Sequence, residues 1–255
     1  RMAMPGMMYA PNDRITLMAM VMFSDKEMEL SVYQPMMTRN FIGNFRSSTN
    51  DLSTVSLIAL IRGQDHYKSR GHFHFGLEKS KSDSAKTGRV LTPMNMNATI
   101  TLPYGMQTSD NSTRGILGYT HALDLDGFIW GNQFLTQKIL DKDVWAFGEK
   151  SIFNTWIQQS LTDYISISGR LNYEYQDDIQ GKNLSIMAPV QTASPLNYGE
   201  KVFSLAFGFN FIGSIFDNDD KDRVAIEIVI PLNQDKNGIQ MKTQHTMSIG
   251  YQRSF

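Results

Sequence analysis

The chain has no cysteine among its 255 residues. That absence argues against a disulfide scaffold, a thiolate metal site and a lipidated cysteine within these residues. A long hydrophobic run is also missing. The most apolar stretch, ITLMAMVMF at 15–23, is nine residues between Arg14 and Ser24, whereas a spanning helix needs about 20. Nine residues suit a tilted spanning strand, which takes roughly 9–11. A net charge of −1 and the lack of a basic stripe exclude a nucleic-acid partner, because phosphates must be neutralised. A GxSxG elbow, a phosphate loop and an HExxH motif are absent, so no catalytic residue and no cofactor is expected. No linker rich in Pro, Ser or Gly divides the chain, and residues 1–255 are read as a single domain.

What remains is alternation. In the closing stretch 245–255, Met247, Ile249, Tyr251 and Phe255 share one face of a strand, and Thr246, Ser248, Gly250 and Gln252 the other. Phe203, Leu205, Phe207, Phe209 and Phe211 likewise oppose Ser204, Ala206, Gly208 and Asn210. In 164–175 and 222–231 the apolar face opposes Arg170, Glu174, Arg223 and Glu227. A strand that is apolar outside and polar inside is the signature of an outer-membrane barrel, although mean hydropathy is only −0.30. An edge strand of a soluble sheet is the plainer alternative for any one of these segments.

Eleven strands are expected, near 2–9, 14–23, 52–62, 67–77, 114–123, 127–138, 146–160, 164–175, 200–213, 222–231 and 241–255. Short joins alternate with long ones at 24–51, 78–113, 176–199 and 232–240, the weakest member being 139–145. The fold expected is all-β, an antiparallel up-and-down transmembrane barrel of about twelve strands. The twelfth is expected upstream of Arg1, or hidden in 78–113. Because the sequence opens at Arg1 without an initiator Met, an upstream segment is expected. The facing of 114–123 and 127–138 is ambiguous.

Parity also assigns the lumen. Met18, Met20 and Met22, with Ile58 and Leu60, turn inward and make one sector apolar. Ten of the sixteen methionines lie at or before Met37. Their thioethers suit lumen lining, contact with aromatic cargo, or Cu(I). Arg62, Arg70, Arg170 and Arg223 are expected to form an inward ladder with Glu78, Glu174 and Glu227, either structural or selective. His72 and His74 join Arg70 and Glu78 on one face, as a polar cluster or a weak metal pair. Trp156 is placed on the lumen side with them. DNDDKD at 217–222 reads as a solvated turn or a Ca²⁺ loop.

Four stretches also carry a likeness: MMYAPNDRITLMAMVMF at 7–23, LPYGMQ at 102–107, SLTDYISISGRLNY at 160–173 and the last strand. Together they resemble the outer-membrane channel family associated with meta-pathway phenol degradation clusters. The resemblance implies a monomeric barrel of about twelve strands and a narrow lumen for small, apolar molecules, with no catalytic residues.

The function expected is a passive outer-membrane channel for small hydrophobic or aromatic molecules. Its partners would be a small, possibly monoaromatic substrate, outer-membrane lipid, and the barrel-assembly machinery through the last strand. A general porin with polar cargo is the alternative. A phospholipase-like barrel would need partners for the lipid-facing His245, and none is evident.

Overall fold

The computed structural model of the protein describes residues 1–35, 39–81, 85–187, 190–213 and 221–254. Its strands are β1 (Met2–Ala3), β2 (Gly6–Asn12), β3 (Ile15–Tyr33), β4 (Phe41–His66), β5 (Ser69–Ser80), β6 (Thr87–Leu91), β7 (Asn97–Thr101) and β8 (Thr113–Asp124). They continue with β9 (Ile129–Asp141), β10 (Trp145–Ala146), β11 (Lys150–Ser160), β12 (Ile165–Gln176), β13 (Gln180–Gly181), β14 (Glu200–Gly213), β15 (Lys221–Lys236) and β16 (Thr246–Ser254). Twelve of these form one antiparallel sheet in the order β1-β3-β4-β5-β8-β9-β11-β12-β14-β15-β16, with β2 also on β3. Each wall strand pairs with the next wall strand in sequence, as in an up-and-down barrel. No helix in the described residues is long and apolar enough to cross a membrane.

The sheet is lined outside by the residues that alternation sends there. Leu57, Phe75, Leu117, Phe153, Phe207, Ile228 and Ile249 are all exposed, and their sequence neighbours Ile58 and Ala206 are buried. Cross-strand pairing keeps these residues level: Phe153 faces Phe134 and Tyr173, and Phe207 faces Ile228. Exposed phenylalanines such as Phe134 and Phe153 fill the middle of this outer face, and other exposed aromatics, tyrosine and tryptophan foremost, mark the two rims. Tyr9, Trp130, Tyr164 and Tyr251 lie near the short turns, and Phe23, Tyr173, Tyr175 and Phe203 near the long loops. Two aromatic girdles around an apolar band of about 25 Å are the marks of an outer-membrane barrel wall. The ambiguous pair is resolved by register: Leu117 and Tyr119 face lipid with Phe134, and Arg114, Ile116 and Thr120 face inward with Gln133.

The expected loop at 24–51 is wall. β3 and β4 pair from Ile15↔Ile61 to Tyr33↔Phe41, far past residue 23. Alternation continues there, but the outer face becomes Asp25, Glu27 and Glu29, with Arg46 ion-paired to Glu27. A charged outer face cannot lie in hydrocarbon, so this hairpin stands above the bilayer and reads as loop in a hydropathy pattern. β15 likewise runs to Lys236, into the expected loop 232–240.

Among its described residues, segment 78–113 supplies no hidden wall strand between β5 and β8. β6 and β7 pair only with each other. The edge strands β2 and β16 both run toward the short-turn rim, and β1 and β16 line one cavity of about 1280 Å³. The 217–222 turn lies, apart from Lys221 and Asp222, outside the described residues.

Placing a charge in the lipid belt should be costly only on the outward parity. Phe207→Arg should lower stability in phospholipid vesicles by about 2–4 kcal/mol, and Gln158→Arg by far less, measured by urea unfolding. Equal losses would contradict the register.

Candidate functional site

The inner wall has two chemistries. On β3 and β4 the half-buried Met18 sits across from the buried Ile58, while Met20 and Met22 face Ser56 and Thr54. Ile116 of β8, buried beside Gly76, extends this apolar sector. The sector is thus narrower along β4 than the sequence implied, because Leu60 pairs with Thr16 and His74 and belongs to a polar rim. Leu60, Arg62, Arg70 and His72 line a second cavity of about 600 Å³ with Asp13 and Asp65.

Beside the apolar sector, from β5 onward, runs a belt of linked side chains. His74 Nε2 lies 2.8 Å from Thr120 Oγ1, and Gln133 donates to the same hydroxyl at 2.9 Å. Asn154 donates to Gln133 at 3.2 Å, and Asn172 to Asn154 at 2.8 Å. Five neighbouring strands, β5 to β12, are therefore tied at one level of the lumen. Buried amides need such partners, and here they supply one another. His72 stacks 4.8 Å from His74. Among the described residues no cluster of three His, Asp or Glu could hold a metal.

The expected charge ladder is present in pieces with different partners. Arg170 Nη2 donates to Glu227 at 2.5 Å. Glu174 pairs with Lys150 at 2.5 Å, Glu78 with Arg114 at 3.8 Å, and Arg62 with Asp65. Arg223 donates through Nε and Nη2 to Asn210 at 3.1 and 2.7 Å. Lys150 and Arg114, absent from the expected set, take Glu174 and Glu78 because register sets Arg114 directly opposite Glu78 and Lys150 opposite Gln176, diagonal to Glu174.

Above this lumen the long-loop rim is crossed by the segment 102–112, which alternation could not place. Leu102, Tyr104, Met106, Gln107 and Asp110 are buried. Serines and threonines of β4 hold its backbone: Thr49 donates to the Met106 carbonyl at 2.8 Å and Ser53 to that of Thr108 at 2.5 Å. Lys26 donates to the carbonyls of Gly105 and Gln107 at 3.0 and 2.5 Å, and its burial pushes its pKa down. On the other side Tyr104 packs on Trp145, Ile179 and Ile186, tying the segment to the 177–199 loop. Tyr104 accepts from the Asn183 N–H at 2.9 Å, and Tyr198 from that of Gly105 at 2.8 Å.

Asp110 is the anchor of this cap. It accepts from Arg114, from the Ser112 N–H and hydroxyl, and from the Phe147 N–H. Burial alone would raise its carboxyl, but Arg114, Ser112 and Phe147 outweigh that and hold it below the usual carboxylate range. Four donors converging on one carboxylate would not be apparent from the spacing of 110, 112, 114 and 147.

An all-antiparallel wall, a lipid band between aromatic girdles and a polar lumen define a bacterial outer-membrane β-barrel protein. Among solved structures the chain is similar to in-vitro folded OmpT, an outer membrane protein of Vibrio cholerae, at 10% identity and TM-score 0.42, covering 99% of this chain and 88% of that one. It is also similar to the loop L8 deletion mutant of that protein, at 10% identity and TM-score 0.43, covering 99% and 89%. No family model and no curated protein matches the chain.

Removing the Asp110 charge leaves Arg114 buried beside a weaker partner, a change that costs about 3 kcal/mol in comparable buried pairs. Asp110→Asn should therefore loosen the cap and lower the amide hydrogen-exchange protection of residues 102–112 without unfolding the wall. Because the folded pKa is depressed, the stabilisation is present at neutral pH and lost as pH falls through that value. Protection of 102–112 should fall below the usual carboxylate range in the native protein and be flatter with pH in Asp110→Asn. Identical protection and pH response would contradict the anchor role.

Proposed function

We propose that the protein is a passive outer-membrane channel for small, apolar or aromatic molecules. The observation that carries this reading is the pair of chemistries that adjoin on the inner wall, the apolar Met18, Ile58 and Ile116 beside the amide belt from His74 to Asn172. An aromatic solute with a polar substituent gains contacts from both, whereas a hydrated sugar gains little from the thioethers. Flexible methionines fit rings of varied shape without a fixed pocket.

On this reading the protein has no catalytic step and works as one copy in lipid, assembled through its last strand. The reading agrees with the likeness to the channels of phenol-degradation clusters. A general porin for polar solutes is the second reading, favoured by the glutamine, asparagine and serine lining of the larger cavity.

The two readings separate in liposomes. Monoaromatic solutes should enter protein-bearing vesicles faster than sugars of similar size, after subtraction of flux into protein-free vesicles. Changing Met18, Met20 and Met22 together to Ser should reduce that preference several-fold. Equal permeation of sugars and aromatics in the native protein would overturn the apolar-cargo reading and establish the porin.

A further inference from the structure

The larger cavity, about 1280 Å³, has a composition unlike the chain as a whole. Its lining includes Arg170, Arg223 and Arg1 but one carboxylate, Glu227, although the protein's net charge is −1. The remaining polar lining is neutral apart from His245: Gln133, Asn154, Gln158, Ser168 and Asn210 among them. Glu227 is engaged by Arg170. Arg223 pairs with an amide oxygen and with no carboxylate among the described residues. The Nε of Arg170 is buried and finds no hydrogen-bond partner among the described residues. A buried guanidinium N–H without a partner is costly, so a small turn of Arg170 that brings an anion in the cavity to this N–H would be favoured.

Beside these cations lies a flat aromatic wall. Trp156 faces Arg170 directly across β11 and β12. Its indole lies over Gly131 of β9, where a Cβ would come within 2.1 Å of the ring. Glycine is thus required for the indole to lie against the wall. Tucked there, it lines the cavity together with Arg170 and Arg223. Gly208 and the fully buried Ala206 keep the floor between Arg170 and Glu227 low. A ring stacked on indole with its acidic group toward guanidinium is a recurrent geometry: offset stacking serves the ring, and the planar fork serves the carboxylate.

We propose that this cavity contains a subsite for a monoaromatic carboxylate, its ring on Trp156 and its carboxylate on Arg170 and Arg223. The proposal rests on the channel reading and narrows its cargo class to an anion. The volume exceeds the ligand, so the subsite is a waypoint in a wet lumen, which suits passage better than tight retention.

The test is current block in planar bilayers carrying the full chain, with benzoate, acetate and benzyl alcohol as probes. Benzoate should block at about tenfold lower concentration than acetate or benzyl alcohol, the difference expected when ring and charge act together. Arg223→Gln should raise the half-blocking benzoate concentration about tenfold and leave benzyl alcohol unaffected. Trp156→Leu should weaken benzoate while sparing acetate. Acetate as effective as benzoate would reduce the site to a bare positive charge and overturn the proposal. So would benzyl alcohol as effective as benzoate, or a benzoate block unmoved by Arg223→Gln. If folded protein passes no current, the channel reading falls separately. Benzoate quenching of indole fluorescence in detergent then decides the subsite: quenching lost in Trp156→Phe supports it, and no quenching in the native protein overturns it.

Discussion

Hydrocarbon offers backbone amides no hydrogen-bond partner, and most of the structure follows from that constraint. Each wall strand must satisfy its neighbours, so the chain runs up and down in sequence order and every residue is committed to one of two faces. The outward face is then free to be Leu57, Phe75, Phe207 or Ile228, where a soluble sheet would need a second layer to cover it. The inward face must satisfy its own polar groups, and the linked His74, Thr120, Gln133, Asn154 and Asn172 do so side by side.

The same commitment explains the cap. A barrel wall fixes residues at the rim but cannot close its own mouth, so closure falls to the segment between β7 and β8. β3 and β4 are extended above the lipid so that Lys26, Thr49 and Ser53 can hold that segment through its carbonyls. Docking through backbone carbonyls places few demands on the segment's side chains. Those demands concentrate at Tyr104 and Asp110, which face the other loops and Arg114.

Alternation made the membrane wall legible, most cleanly in β12, β14, β15 and β16, where one face is apolar through the middle of the strand. It failed for the tops of β3 and β4, whose outer residues Asp25, Glu27 and Arg46 meet water and so carry no lipid signal. Inward residues such as Met18, Ile58, Trp156 and Arg170 were readable as a face, because parity needs no knowledge of neighbours. Their partners were not. Pairing Glu174 with Lys150, or laying Trp156 over Gly131, depends on the register between strands separated by a turn. The Asp110 anchor joins residues 37 apart in sequence, Asp110 and Phe147, and no local period encodes that. LPYGMQ stood out as a stretch without a place until the fold put it in the mouth.

The proposed channel function requires a lumen that conducts beneath a docked cap. Recording from the purified, folded protein in planar bilayers tests it most directly. Discrete steps of uniform size, smaller than those of wide sixteen-stranded porins, are the predicted result. Folded protein that inserts into the bilayer yet shows no steps over long recordings would contradict it.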